Sequence, residues 1–209
     1  MTEGGQPRWL QWIKRLQAIA QDGLTYSQDD YDLGRYEQLR ELASEMLAAY
    51  STGTLEEARD LLALETGPAT PKVDVRAAVF EDDRILLVKE PNEAGWSVPG
   101  GWADVGESPS ETAARETLEE SGHKVRPVRL LAAYDRDRHG HPPMAYHVYK
   151  LVYLCKLADE EPLSDVNTDG ARFFGEHEIP DLSITRVTRA QISRFFEQHR
   201  DPTLPADFD

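Results

Sequence analysis

Gly101-Trp-Ala-Asp-Val-Gly-Glu-Ser-Pro-Ser-Glu-Thr-Ala-Ala-Arg-Glu-Thr-Leu-Glu-Glu-Ser-Gly-His123 decides how the rest of the chain is read. It is a helix with recognisable ends. Ser108 is a good N-cap, and Pro109 suits the first helical position, where a missing N–H costs nothing. Glu111, three residues after Ser108, completes a capping box. Ala113, Ala114, Leu118 and Glu119 tolerate helix well, and Gly122 is placed to take the left-handed conformation that ends it. Ala114 and Leu118, with Thr117 beside them, form a narrow inward stripe. Glu116, Glu119 and Glu120 stand at i, i+3 and i+4 and therefore share another face. Glu107 lies just ahead of the helix.

A solvated face laced with salt bridges does not account for these acids. Glu111 and Arg115 are spaced to pair at i, i+4, but that leaves the other carboxylates unanswered. Glu116 and Glu120 are like charges at the same spacing. Glu119 and Glu120 fall in the last turn, where the helix dipole favours cations. A hard divalent cation that prefers oxygen ligands, such as Mg²⁺, removes the conflict.

These residues resemble the Nudix box, the pattern G-x5-E-x7-R-E-U-x-E-E-x-G-U with U apolar. Gly101, Glu107, Arg115, Glu116, Glu119, Glu120 and Gly122 fall on its fixed positions, whereas Thr117 and His123 stand at two U positions without being fully apolar. The lead-in Trp96-Ser-Val-Pro-Gly-Gly101 resembles the strand and turn that precede the box. Outside it, Ile19–Tyr26, Tyr31–Tyr36, Tyr134–His139 and Leu182–Val187 resemble a subgroup with an N-terminal helical extension that hydrolyses CDP-choline or ADP-ribose.

Composition sets the outer bounds. The chain has 209 residues, enough for one large domain or for one domain plus a small one. Its mean hydropathy is −0.57 and no apolar run approaches the roughly 18 residues a membrane span needs. The N-terminus lacks a basic region followed by an apolar core, so it does not read as a secretory signal. One cysteine, Cys155, excludes an internal disulfide and reads as a small buried side chain. The expected compartment is the cytoplasm. A net charge of −15 argues against broad binding to nucleic acid, yet not against a phosphate-bearing substrate bridged by metal.

Trp9, Trp12, Ile13, Leu16 and Ile19 follow a helical rhythm that Gly23 is placed to end. A second helix is predicted from Asp29 or Asp30, with Tyr36, Leu39, Ala43, Met46 and Tyr50 inward. Thr54 and Glu57 form another capping box. Thr66-Gly-Pro-Ala-Thr-Pro71 is a linker by composition. The boundaries are then 1–68 for an N-terminal helical domain and 69–209 for the second domain. In the latter the period becomes two through Val73, Val75, Ala77 and Val79, and Ile85–Val88 completes a hairpin. Strands are predicted at 125–136, 145–157 and 171–174, then a last helix with Val187, Ile192, Phe195 and Phe196. The tail from Asp201 reads as loose. This order gives an α+β chain, and the resemblance implies the Nudix α/β/α sandwich with a mixed sheet. Three short helices make a thin core, so the first domain is expected to form a homodimer, to wall off the substrate site, or both.

Water must be deprotonated, phosphoryl charge offset and the pieces held in line for a pyrophosphate to be cut. The resemblance implies Mg²⁺, with Mn²⁺ able to substitute. Glu116 and Glu120 are then the main ligands, Glu119 shares them or orients water, and a carbonyl of the Gly100–Gly101 turn completes the shell. Arg115 either binds phosphate or orients the acids through Glu107 or Glu119, and its place on the same helix favours orientation. Glu107 is read as holding ligands in place rather than touching the ion. The base comes from Glu119, Glu120 or the acids of Glu160–Asp169, of which the helix is preferred; many family members carry a glutamate near Asn167, and Asp165 or Asp169 are the local substitutes. Trp96 and Tyr134 are candidates to stack on base or ribose, against a role in the core. Arg136, Arg138 and Lys150 are candidates for phosphate, against simple surface charge. His139 and His141 as a zinc pair lack a third ligand at a recognisable spacing, and an ordinary solvated loop is preferred.

The expected reaction is Mg²⁺-dependent cleavage of a nucleoside diphosphate linked to a group X, giving a nucleoside monophosphate and phospho-X. CDP-choline or ADP-ribose is favoured by the subgroup resemblance alone. The alternatives are hydrolysis of nucleoside triphosphates or RNA ends, and a nucleotide-binding regulator without catalysis.

Overall fold

Side-chain caps written into the sequence set the helix starts after the first in the computed structural model, which describes residues 6–89, 95–158 and 170–209. The chain divides into two compact units. One comprises Met1–Pro71 with Pro143–His147; the other comprises Lys72–Pro142 with Val148–Asp209.

The first unit holds α1 (Arg8–Tyr26), α2 (Asp30–Tyr50) and α3 (Leu55–Ala63). Asp29 caps α2 by accepting from the backbone N–H groups of Tyr31 and Asp32, and Thr54 with Glu57 makes both bonds of the capping box on α3. Leu10, Ile13, Ala43, Leu47, Ala58 and Leu62 form its core. Two expectations are corrected. Gly23 does not end α1, which runs on to Tyr26. The glycine is needed because the Tyr36 ring of α2 lies against it, and a Cβ there would sit 2.2 Å from that ring. The apolar stripe is also rotated. Leu10 and Ala20 are buried, whereas Trp12 and Ile19 are 48% and 51% exposed. On α2, Tyr50 is exposed at its edge while its ring stacks on Trp9, with centroids 5.3 Å apart.

The second unit begins with a hairpin of β1 (Lys72–Glu81) and β2 (Arg84–Lys89). Asp82 and Asp83 close it with φ of 46° and 56°, the pair of positive values a two-residue turn of matching twist requires. Then come β3 (Trp96–Ser97), β4 (Gly100–Trp102), α4 (Pro109–Ser121), β5 (Val125–Asp135), β6 (Val148–Leu157), β7 (Ala171–Phe174), α5 (Arg189–Arg200) and β8 (Asp207–Phe208). The sheet order is β3-β2-β1-β6-β5-β8, with β4 also on β1 and β7 on β2. β1 and β6 run parallel, β5 and β6 antiparallel, so the sheet is mixed.

Alternate residues of the central strands face two cores. Val75, Ala77, Val79 and Leu86 meet Ala113 of α4 and Cys155 on one side. Ala78, Ile85, Leu87 and Val152 meet Ile192, Phe195 and Phe196 of α5 on the other. A helix on each face makes this unit the expected sandwich, and it explains why Val75 to Val79 of β1 show an almost unbroken apolar run rather than clean alternation. The tail is not loose. β8 pairs in parallel with β5, and Asp207 accepts from Arg194 at 2.7 and 2.8 Å and from the Tyr134 hydroxyl at 3.1 Å.

Candidate active site

Helix α4 is built as its caps dictate. Ser108 accepts from the Glu111 N–H at 3.3 Å, the Glu111 carboxylate accepts from the Ser108 N–H at 2.8 Å, and Gly122 takes φ 73°. The carboxylate of Glu111 is thus engaged in the cap, and the expected Glu111–Arg115 pair gives way to it. The inward face is also turned from the expected one. Thr112, Ala113, Thr117 and Ser121 are buried, while Ala114 and Leu118 are only half-buried. Thr117 donates to the Ala113 carbonyl at 2.7 Å, so its hydroxyl is satisfied by its own helix and its methyl fills an apolar position. His123, half-buried, sets its ring edge-on to Phe173.

Turned the other way, Arg115 is the hub of the acids. Its Nε donates to Glu107 at 2.9 and 3.1 Å, and its Nη1 donates to Glu116 at 2.9 Å and Glu119 at 3.0 Å. Asp104 lies 3.3 Å from Nη2. The hydrogen bond to Glu107, with the neighbouring carboxylates, pushes the guanidinium pKa further up, and the same bond holds the Glu107 carboxyl below its usual range. Burial pushes the Glu116 carboxyl up, opposed by Arg115.

Two acids reach the turn that joins β3 to β4. The Gly100 N–H donates to Glu120 at 2.8 Å. The Glu116 carboxylate rests against Gly101, where a Cβ would lie 2.8 Å from its oxygen. Gly100 has φ 140° and a Cβ on it would be 2.1 Å from the Val75 carbonyl, so only glycine fits. The bare backbone at both positions lets the acids close on the turn.

Behind it lies a buried ionic cluster that the sequence reading passed over. Asp74 and Arg76 of β1 share a face, and Lys150 of β6 sits opposite Asp74 in the parallel ladder. Arg76 grips Asp74 through Nε at 3.0 Å and Nη2 at 2.8 Å, and the Lys150 ammonium donates to the same carboxylate. Burial alone would raise the Asp74 pKa, but the two cations outweigh it and hold it at about 2. Burial pulls the Lys150 ammonium down to about 8 against the opposing effect of Asp74. The available signal was Asp-Val-Arg inside an apolar strand, two opposite charges on one face.

The residues expected to meet substrate are turned largely inward. Lys150 and Arg136 are each 2% exposed, which corrects the picture of surface charges. Lys150 is engaged by Asp74, and Arg136 donates to the carbonyls of Pro142 at 2.8 Å and Thr185 at 3.3 Å. Tyr134 is buried beside Lys150 across the ladder, its hydroxyl on Asp207 and its ring on His139. Trp96 is half-buried, edge-on to Phe174 with centroids 5.0 Å apart. Only Arg138 is open to solvent, 3.7 Å from Asp135. His139 pairs with Asp209 at 3.0 Å, and His141, 6% exposed, lies 2.8 Å from the Ile184 carbonyl. The two histidines are therefore occupied separately, in a loop less solvated than expected. The acids of Glu160–Asp169, including Asp165 and Asp169, lie outside the described residues.

Comparison with known proteins matches residues 70–195 to the NUDIX domain, more than half of the chain. The chain belongs to the Nudix hydrolase family. Residues 7–62 match a domain described as UDP-X-like, N-terminal oligomerisation domain. A Bacillus subtilis (strain 168) protein, YjhB, named provisionally as an ADP-ribose pyrophosphatase, is 44% identical over 98% of both chains. The ADP-ribose pyrophosphatase of Methanocaldococcus jannaschii is 30% identical across 54% of this chain and 67% of its own. Among solved structures, a UDP-X diphosphatase is 36% identical with TM-score 0.61, covering 96% of this chain and 98% of that one. An ADP-ribose pyrophosphatase from Streptococcus suis is also 36% identical, TM-score 0.59, covering 67% of this chain and all of that one.

Nudix hydrolases use divalent cations, and the donors here suit one. Among the described residues no three His, Cys, Asp or Glu side chains converge on a point. Mg²⁺ does not demand that: it keeps several waters and takes one or two carboxylates. Glu116 and Glu120, meeting at one glycine turn whose carbonyls are oxygen donors, fit this requirement. No described helix is long and apolar enough to cross a membrane.

Proposed function

We propose that this Nudix protein hydrolyses a nucleoside diphosphate linked to a second group X, using Mg²⁺ or Mn²⁺. Water adds to one phosphorus, the bridging oxygen leaves with the other, and the products are a nucleoside monophosphate and phospho-X. The observation that carries the reading is the convergence of Glu116 and Glu120 on the Gly100–Gly101 turn beside an arginine that holds Glu107, Glu116 and Glu119. The names of the relatives support ADP-ribose and UDP-linked substrates. CDP-choline stands on the subgroup resemblance alone.

In this reading Glu116, Glu120 and a carbonyl at Gly100 or Gly101 hold the ion. An ion held by these groups would supply charge to offset the phosphoryl oxygens and would acidify the attacking water. Glu119, exposed at the helix end, takes the proton from the attacking water, with Glu120 the other choice. Arg115 and Glu107 keep the acids apart and aimed. Residues 1–68 form the domain that pairs two chains as a homodimer; the exposed Trp12, Ile19 and Leu42 supply apolar surface for it. A cytoplasmic location agrees with a single buried cysteine, whose thiol is pushed up to about 12 by burial.

The test is a panel of ADP-ribose, UDP-sugars, CDP-choline and nucleoside triphosphates with Mg²⁺ or Mn²⁺, reading release of phosphate monoesters. Turnover of diphosphate conjugates ahead of triphosphates is expected. Saturable nucleotide binding with no metal-stimulated turnover would replace the hydrolase reading with that of a regulator.

A further inference from the structure

The buried cluster of Asp74, Arg76 and Lys150 lies outside the acidic helix, yet it is bonded to the turn on which Glu116 and Glu120 converge. We infer that Asp74 and Arg76 are positioning residues, a buried strut that fixes the Val98–Gly101 turn where it can complete a divalent-cation site. The inference rests on the metal-holding role proposed above and extends it to residues that do not touch the ion.

The geometry is specific to that turn. With Nε and Nη2 committed to Asp74, Arg76 directs Nη1 to the Val98 carbonyl at 3.4 Å. The next residue of β1, Ala77, donates its N–H to the Pro99 carbonyl at 2.9 Å. Gly100 then crosses directly over the Arg76 stem, where a Cβ would be 2.9 Å from its Cδ. Glu120 takes the Gly100 N–H. Val98 and Pro99 are thus each tied to β1, and Gly100 is tied both to β1, opposite Arg76 in the β1–β4 ladder, and to α4; the Arg76–Val98 contact adds a side-chain tie to these backbone ones.

Energetics favour placement over stability as the reason for the cluster. Replacing a whole buried ion pair or triad by well-packed apolar residues is often neutral or stabilising, whereas removing one partner alone is costly. A strand that needed only to be stable had no use for charges at Asp74 and Arg76, each about 95% buried. What the charges add is direction. A guanidinium fork locked on a carboxylate has the directions of its remaining N–H groups fixed, and one on Nη1 faces the Val98 carbonyl. Lys150, from the neighbouring strand, holds that carboxylate from its other side and keeps the fork from turning. Partners that orient metal ligands typically matter about 10- to 100-fold in metal affinity.

The experiment uses the full chain without substrate and Mn²⁺ as the probe, with affinity read by calorimetry or electron spin resonance. Amide hydrogen exchange is followed over residues 98–102. Arg76→Lys keeps the charge but loses the fork. It is expected to weaken Mn²⁺ binding about 10-fold and to speed exchange at Gly100 and Gly101. Asp74→Asn frees the fork from the strand side, is expected to shift both readouts the same way, and serves if Arg76→Lys does not fold. A variant that melts earlier but binds Mn²⁺ as wild type does, with unchanged exchange, makes the cluster merely structural and overturns the inference. Wild-type protein that binds no Mn²⁺ overturns the metal reading beneath it as well, so the two failures are told apart.

Discussion

Two clusters of charge in the Nudix unit are near mirror images. Around Arg115, one cation is shared by Glu107, Glu116, Glu119 and Asp104, and its side chain is 27% exposed. Around Asp74, one anion is shared by Arg76 and Lys150, and all three side chains are at most 7% exposed. The first has more acid than one arginine can neutralise and is open to water; the second sets two cations on one anion and is closed to water. Surplus acid is tolerated where solvent reaches it, whereas a low-dielectric interior keeps a carboxylate ionised only beside its cations. An incoming cation is therefore received at the solvent-open cluster with surplus acid, next to the buried one that fixes the backbone.

Four experiments test this contrast. The largest effect is expected for Asp74→Ala, which leaves Arg76 and Lys150 buried without their anion. A stability loss of about 3–5 kcal/mol is expected by urea denaturation. Near-neutral behaviour would show that the closed cluster is not closed at all. Glu120→Gln sits in the open cluster and should do the reverse. Turnover is expected to drop at least about 100-fold, about 2.7 kcal/mol of barrier, while the unfolding midpoint stays near wild type. Full activity would remove Glu120 from the metal site.

The third experiment titrates the neighbourhood of the closed cluster. Burial holds His141 down at about 4, against 6.5 for an ordinary histidine. Above pH 6.5 the ring is neutral in both the folded and the unfolded chain. As pH falls from 6.5 toward 4, only the unfolded chain takes up the proton, so stability declines. The slope approaches about 1.4 kcal/mol per pH unit from this one group, and denaturation curves of His141→Gln between pH 7 and 5 should be flatter than those of wild type. Equal slopes would mean that His141 titrates normally. The smallest effect is expected for Arg115→Lys. It preserves charge but loses the fork that spreads over three glutamates, so turnover should fall about 10-fold with little change in stability, because the hub is partly solvated. A loss as large as that of Glu120→Gln would place Arg115 on the substrate itself.

What could be read from the sequence follows the distance between partners. Helix α4 was legible because Ser108, Pro109, Glu111 and Gly122 carry its start and stop within one short segment. So was the hairpin, through apolar runs flanking two aspartates. Gly23 was misread because glycine serves two purposes, ending a helix or admitting a neighbour, and only Tyr36 on the next helix decides between them. The rotated stripe on α1 has the same origin: rhythm locates an apolar face, but packing decides how much of it is covered. In the site, the acids of α4 were visible as a local pattern. The Asp74–Lys150 bond was not, since it joins residues 76 positions apart through a parallel ladder that no short window contains. The buried fates of Tyr134 and Arg136 likewise depend on Asp207 and Thr185, far along the chain.

The short strand β8 has a consequence beyond its own few hydrogen bonds. Lying against β5, it occupies backbone groups at the margin of the sheet that would otherwise offer a template to a neighbouring molecule. Arg194, gripping Asp207 with two nitrogens, clips that guard to α5. Trimming the chain back to Arg200 would therefore expose raw sheet margin, and the first symptom would be clumping at high concentration rather than a slower reaction.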